Sequence, residues 1–174
     1  MYEDLRHILV KALEWGVLDV KVVRAADIAV AEWVRMKCRY GCPNYGNRLD
    51  CPPNTPDTDL MRRLLGEYQR ALILRLARLP QYLAELSGIV HKVERELYLN
   101  HFYRALAFGA GACGLCPDEC VREPGCCPHP HNIRPAAEGA GVDWFQTLKN
   151  NGWELRLTQE KGELPPSYAL ILVD

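Results

Sequence analysis

The sequence lacks most of the features that would tie a chain to a membrane, a nucleic acid or a common catalytic class. Its formal net charge is -1, so no overall basic field draws nucleic acid or an anionic membrane to it. No apolar stretch approaches the ~18–20 residues that a membrane span needs. The first residues, Met1-Tyr2-Glu3-Asp4-Leu5-Arg6-His7, are acidic and mixed, and no basic stretch leads into an apolar run, so no signal peptide is expected. Internal repeats and low-complexity segments are missing. So are a Ser-His-Asp arrangement, a phosphate-cradling glycine loop and a dinucleotide fingerprint. The expected partners therefore include neither nucleic acid nor membrane, and the oligomeric state is not legible.

What is present is an ordinary globular composition with one anomaly. A chain of 174 residues, 48% hydrophobic and 25% charged, fits a single domain over 1–174. At this size folding buries about 70% of the unfolded surface, so disulfide staples are not needed. Yet there are eight cysteines. Without an export signal the expected compartment is the cytoplasm, where thiols stay reduced and cysteine clusters bind metal or catalyse.

Hydrophobic spacing predicts a helix over 2–15, closed by Gly16, and a short strand around 20–23. Residues 25–37 fit helix and strand equally. From 38 to 56 the chain holds four prolines, two glycines and three asparagines among three cysteines, which predicts an irregular, functional loop. Asp57 or Thr58 caps a short helix through Leu65, and 71–76 is a strand. Pro80 opens a long helix with Leu83, Leu86, Val90, Val93 and Leu97 on one face; continued to Ala107, it would span roughly 40 Å. A helix over 142–150 and strands over 153–157 and 168–173 complete the chain, with a turn-rich stretch over 161–166. The expected fold is α+β: a mostly antiparallel sheet of four or five strands covered by helices, including one long helix, with two cysteine-rich metal-binding loops.

The later cysteine group is Cys113-x2-Cys116-x3-Cys120, followed by Cys126 and Cys127. A two-residue gap lets a tight turn aim two thiolates at one centre, and Gly114 supplies the conformational freedom. Adjacent side chains do not easily reach one centre together, so one of Cys126 and Cys127 is the fourth ligand. Cys127 is favoured because it precedes Pro128, as the last cysteine precedes proline in ferredoxin-like runs. Four thiolates suit a [4Fe–4S] cluster or zinc. The close triplet favours iron–sulfur, with zinc as the alternative.

The earlier group, Cys38-x3-Cys42-x8-Cys51, has three cysteines. One helical turn would place Cys38 and Cys42 on one face. Cys126, His129, His131, Asp50, an outside ligand or nothing could complete the set, and three thiolates would leave an open metal position. The spacing excludes the radical S-adenosylmethionine pattern, Cys-x3-Cys-x2-Cys. Lys37, Arg39 and Arg48 flank this group and would offset cluster charge or attract a small anion. One or two [4Fe–4S] clusters, a redox role and a redox partner protein are the leading functional expectation. An open-iron enzyme and a zinc-stabilised binding or regulatory module are the alternatives.

The run Lys37-Cys38-Arg39-Tyr40-Gly41-Cys42-Pro43-Asn44-Tyr45-Gly46, with Cys51-Pro52-Pro53, resembles the first signature of a prokaryotic family of predicted metal-binding proteins whose domain has no assigned function. Ala110-Gly111-Ala112-Cys113-Gly114-Leu115-Cys116, Cys120, Cys127-Pro128-His129-Pro130 and Arg134-Pro135 are similar to its second signature. The likeness spans most of the chain and implies metal binding without naming a reaction. Family members usually carry proline before the last cysteine, which implies that Cys127 is the ligand and Cys126 is extra. This sequence also departs at Ala136, where the family pattern has serine, and at Gly139, where it has alanine.

Overall fold

A computed structural model describes residues 2–77, 83–116, 126–154 and 165–174. Five α-helices and four strands are present among the described residues: α1 (Arg6–Glu14), β1 (Asp19–Arg24), α2 (Glu32–Gly41), α3 (Thr58–Leu65), β2 (Arg70–Leu76), α4 (Leu83–Leu99), β3 (Leu106–Phe108), α5 (Trp144–Asn150) and β4 (Ser167–Leu172). The strands form one sheet in the order β1-β2-β4-β3, and each neighbouring pair is antiparallel. The fold is α+β, as the sequence pattern predicts.

The sheet is covered on both faces, which explains why β2 is nearly continuous in hydrophobicity. Successive side chains alternate across a strand. Leu72, Leu74, Leu76, Ala169 and Ile171 therefore share one face with Ile8 and Ala12 of α1 and Val90, Val93 and Leu97 of α4. Ala71, Ile73, Leu170 and Leu172 share the other with Met61 and Leu65 of α3 and Trp144 and Leu148 of α5. Ile73 and Leu170 face each other in register and are both fully buried; each such side chain contributes roughly 1.5–3 kcal/mol by leaving water.

Several expectations change. The ambiguous stretch over 25–37 is a 3-10 turn, Ala25–Asp27, followed by α2. That helix runs through Cys38, so the irregular loop begins at Cys42 rather than Cys38. The long helix stops at Leu99, a length of roughly 25 Å. Asn100 turns its amide back onto the Glu96 carbonyl at 2.8 Å, His101 takes φ 72°, and the Phe102 N–H closes onto the Leu97 carbonyl at 3.0 Å. Left-handed closure of this kind ends a helix. Residues 106–108 then pair with β4 instead of extending α4. The proposed helix start at Pro80, residues 155–157 of the proposed strand and 161–164 of the turn lie outside the described residues; Trp153 and Glu154 are not in a strand.

Three long-range pairings bring the cysteine loops together. The second loop leaves β3 at Gly109 and returns beside it: the Gly109 N–H donates to the Pro135 carbonyl at 2.8 Å, and the Ala137 N–H to the Gly109 carbonyl at 3.1 Å. Ahead of α2, the Ala31 N–H donates to the Gly141 carbonyl at 2.9 Å, and the Asp143 N–H to the Ala29 carbonyl at 2.9 Å. The start of α2 is thus fixed to the segment that follows the second loop. Finally, the Ala136 N–H donates to the Asp50 carbonyl at 2.8 Å, joining the two loops directly.

Candidate metal centre

Cys38 occupies the last turn of α2 on the side of buried Val34, and the Cys42 N–H closes onto the Cys38 carbonyl at 3.3 Å. The i,i+4 spacing therefore places the pair on one helical turn. Cys38 is half-buried, Cys42 exposed and Cys51 buried. The loop between them satisfies its own backbone, since most of its prolines and turns leave no ladder to join. Asn47 Nδ2 donates to the Pro43 carbonyl at 2.7 Å, and Asn54 Nδ2 to the Arg48 carbonyl at 3.0 Å. Gly46, at φ 70°, sends its N–H to the Pro52 carbonyl at 2.8 Å. The Pro52-Pro53 bond is cis.

Arg35, one turn before Cys38, clamps this loop. Its Nη1 donates to Thr55 Oγ1 at 3.1 Å, to the Pro56 carbonyl at 2.6 Å and to the Gly139 carbonyl. A Cβ on Gly139 would stand 3.0 Å from Thr55 Cγ2 and 3.1 Å from Pro52 Cδ. Glycine at this position lets the first loop close onto the turn after the second.

In the second loop, Gly111 adopts φ 85° and delivers Cys113 to the first loop. The Cys113 N–H meets Asp50 Oδ2 at 2.5 Å, and the Cys113 carbonyl accepts from Arg48 Nη2. Ser87 on α4 accepts the Gly114 N–H at 3.3 Å, and its hydroxyl also bonds the Cys113 thiol. Cys116 and Cys127 are half-buried, whereas Cys126 is exposed. The His129 N–H points at Cys127 Sγ, 3.4 Å away. Cys120 lies outside the described residues. His129 and His131 are exposed.

The return limb is anchored by a residue that spacing alone does not flag. Glu94, on α4, is 6% exposed. Its carboxylate receives Arg134 Nε at 2.7 and 2.9 Å, Arg134 Nη2 at 2.5 Å and the Ala107 N–H at 2.8 Å. Arg134 Nη1 in turn donates to the His131 and Ile133 carbonyls at 3.0 and 2.8 Å. One ion pair thus ties the helix, β3 and the end of the second cysteine signature. A glutamate on the otherwise apolar face of a long helix was the available signal.

The electrostatics favour the neutral thiol at Cys38, Cys51 and Cys113. Burial pushes the Cys51 thiol up to about 12, Asp50 adds to the shift, and Arg48 offsets part of it. Burial also raises Cys38, with Cys42 and Glu138 adding to it. It raises Cys113 too, against hydrogen bonds from Leu115 and Ser87. Metal capture must therefore displace protons from these sulfurs. Of the flanking cations, Lys37 stands over the Trp33 ring at 5.0 Å and Arg39 over Tyr40 at 5.4 Å. Arg48 alone of the three sits at the loop junction, where its Nε is 3.2 Å from Asp50 Oδ1.

The donor chemistry fits a soft metal centre: the cysteines are carried by two touching loops, and a backbone N–H already addresses one sulfur. Among the described residues, no three His, Cys, Asp or Glu side chains converge closely enough to hold a metal ion. Binding would therefore have to draw the sulfurs inward. The structure is an α+β fold in which two cysteine-bearing loops meet. The chain belongs to the family of predicted metal-binding proteins DUF2284, whose profile matches residues 21–173. That span takes in both cysteine loops and the sheet apart from the first two residues of β1, and leaves α1 outside. No curated protein and no solved structure matches the chain. Among the described residues, no helix is long and apolar enough to cross a membrane.

Proposed function

We propose that this protein is an iron–sulfur protein that passes single electrons in a reducing, cytoplasmic compartment. Cys113, Cys116, Cys120 and Cys127 would hold a [4Fe–4S] cluster, and Cys38, Cys42 and Cys51 would hold a second centre or join a shared one. When bound, the cluster supplies reversible one-electron exchange. The observation that carries this reading is the His129 N–H directed at Cys127 Sγ at 3.4 Å, in a loop whose other sulfurs follow the close Cys-x2-Cys-x3-Cys spacing. Hydrogen bonds to sulfur stabilise thiolate charge and set cluster potentials. Ser87 does the same for Cys113, and Arg48 brings positive charge to the junction. A redox partner protein is the partner this reading requires.

The test is iron, acid-labile sulfide and zinc quantitation on protein purified without oxygen. About four irons per chain mean one cubane and about eight mean two, with broad absorption that bleaches on dithionite. A colourless preparation with stoichiometric zinc and no sulfide overturns the proposal in favour of a zinc-stabilised binding or regulatory module.

One observation favours a second reading, an enzyme with an open iron position acting on a small anion. A cleft lined by Leu49, Asn54, Pro56, Ile133 and Pro135 opens beside Cys127, between the three-cysteine loop and the second one. Small carboxylates that perturb the spectrum of the iron-loaded protein would support this reading. A spectrum indifferent to them would oppose it.

A further inference from the structure

Cys113 is held at both of its backbone polar groups by the other cysteine loop. Its N–H donates to Asp50 Oδ2 at 2.5 Å, and its carbonyl accepts from Arg48 Nη2. Asp50 is 1% exposed. Its Oδ1 takes Arg48 Nε at 3.2 Å, while Oδ2 also lies 3.8 Å from Cys51 Sγ, whose S–H donates to it. The Asp50 carbonyl binds the Ala136 N–H at 2.8 Å, on the return limb of the second loop. One buried carboxylate residue therefore touches a cysteine of each loop and both limbs of the second.

Position explains this arrangement better than stability does. A buried ion pair is weak evidence for stability, because desolvation offsets much of its attraction. Its geometry is nonetheless specific. Asp50 and Arg48 form a fork around the Cys113 peptide groups, so the placement of the second loop's first sulfur depends on how the first loop is folded. Cys51 is the next residue after Asp50, so the fork and that sulfur are placed by the same stretch of chain.

We propose that Asp50 couples the two cysteine loops into one cooperative metal-binding unit, in which capture by Cys51 and its partners sets the position of Cys113. A metal on Cys51 would displace the thiol proton to solvent, and the hydrogen bond to Oδ2 would be lost with it. The Asp50 carboxylate then serves the Cys113 N–H and Arg48 alone. Asp50 is a positioning residue here, acting through the Cys113 backbone rather than on the metal. The inference rests on metal binding, and not on whether the metal is in a cluster.

The experiment loads the full-length chain and its variants anaerobically with Zn²⁺ as the probe. It follows zinc loss to excess chelator and, by peptide mapping, alkylation of Cys113, Cys116 and Cys127. C51A should speed alkylation of Cys116 and Cys127 by roughly 10–100-fold, the usual effect of disturbing the support of a metal ligand. D50N should reproduce that effect with all eight cysteines intact. In the D50N background C51A should add nothing further, the signature of a shared coupling. Melting curves of D50N and of the milder R48K establish that the variants are folded when assayed. Unchanged alkylation of Cys116 and Cys127 in C51A, or independent additive effects of the two substitutions, overturns the coupling. Wild-type protein that retains no zinc and no iron sinks the metal-binding reading itself, which is a separate result.

Discussion

Removing the Glu94 carboxylate tests how the second cysteine loop is anchored. In E94A the Ala107 N–H loses its 2.8 Å acceptor, and Arg134 loses its Nε and Nη2 contacts. An orphaned buried donor costs about 1–3 kcal/mol, and breaking a buried ion pair about 3–5 kcal/mol. The Arg134 side chain is 23% exposed against 8% for Glu94, so water recovers part of the second cost and a total of about 3 kcal/mol is expected. That is roughly a hundredfold in the folded-to-unfolded ratio. For a chain of this length it lowers the melting temperature by roughly 6–12 °C. The assay is a urea or thermal melt of the metal-free protein followed by circular dichroism. E94Q keeps an oxygen for Ala107 and should fall between wild type and E94A. The paired E94L/R134M change removes both charges and should recover much of the loss. An E94A protein melting within about 2 °C of wild type would refute the anchoring argument.

Other expectations follow from the same geometry. Burial lowers the His91 pKa below its ordinary 6.5, and Arg134 adds to the shift against the opposing pull of Glu94. The folded state therefore favours neutral His91, and its contribution is complete above about 6.5 and lost as pH falls through the depressed value; urea melts should show this slope, and H91Q should flatten it. In metal-free protein, timed alkylation should modify exposed Cys126 well before Cys51, whose thiol is held at about 12. For metal content measured after anaerobic purification, C127S should lose metal and C126S should not, because Cys127 is half-buried and receives the His129 N–H while Cys126 is exposed. At Gly141, φ is +89° and a Cβ would lie 2.5 Å from Thr58 Cγ2. G141A should cost about 1–2 kcal/mol from the backbone alone, and more from the clash, in the same melts.

Local patterns carried much of the fold into view. The near-continuous apolar run of β2, helical spacing over α1 and the cap at Asp57, whose carboxylate accepts the Leu60 N–H at 2.7 Å, are properties of a few neighbouring residues. The end of α4 was not visible in this way. Residues 106–108 have a pattern that suits a helix as well as a strand, and they became β3 because Ile171, far along the chain, stands opposite Ala107. The site divides along the same line. Cysteine spacing named the thiols, and only the folded chain leaves Cys127 half-buried and Cys126 exposed. Arg35, Ser87 and Glu94 escaped notice because their partners lie far off in sequence, the Gly139 carbonyl 104 residues from Arg35 and Arg134 40 residues from Glu94.

By itself, then, the sequence determined the thiol inventory: eight cysteines, grouped in proline- and glycine-rich stretches. Those are local facts of composition and spacing. Only the tertiary structure decided that the two cysteine loops meet at Asp50, with Arg48 and Cys113 locked across them. That meeting depends on antiparallel pairing between distant strands and on the bridge between Val30 and Val142. Such contacts form only once burial of the sheet's two faces outweighs the entropy of closing the long loops between them.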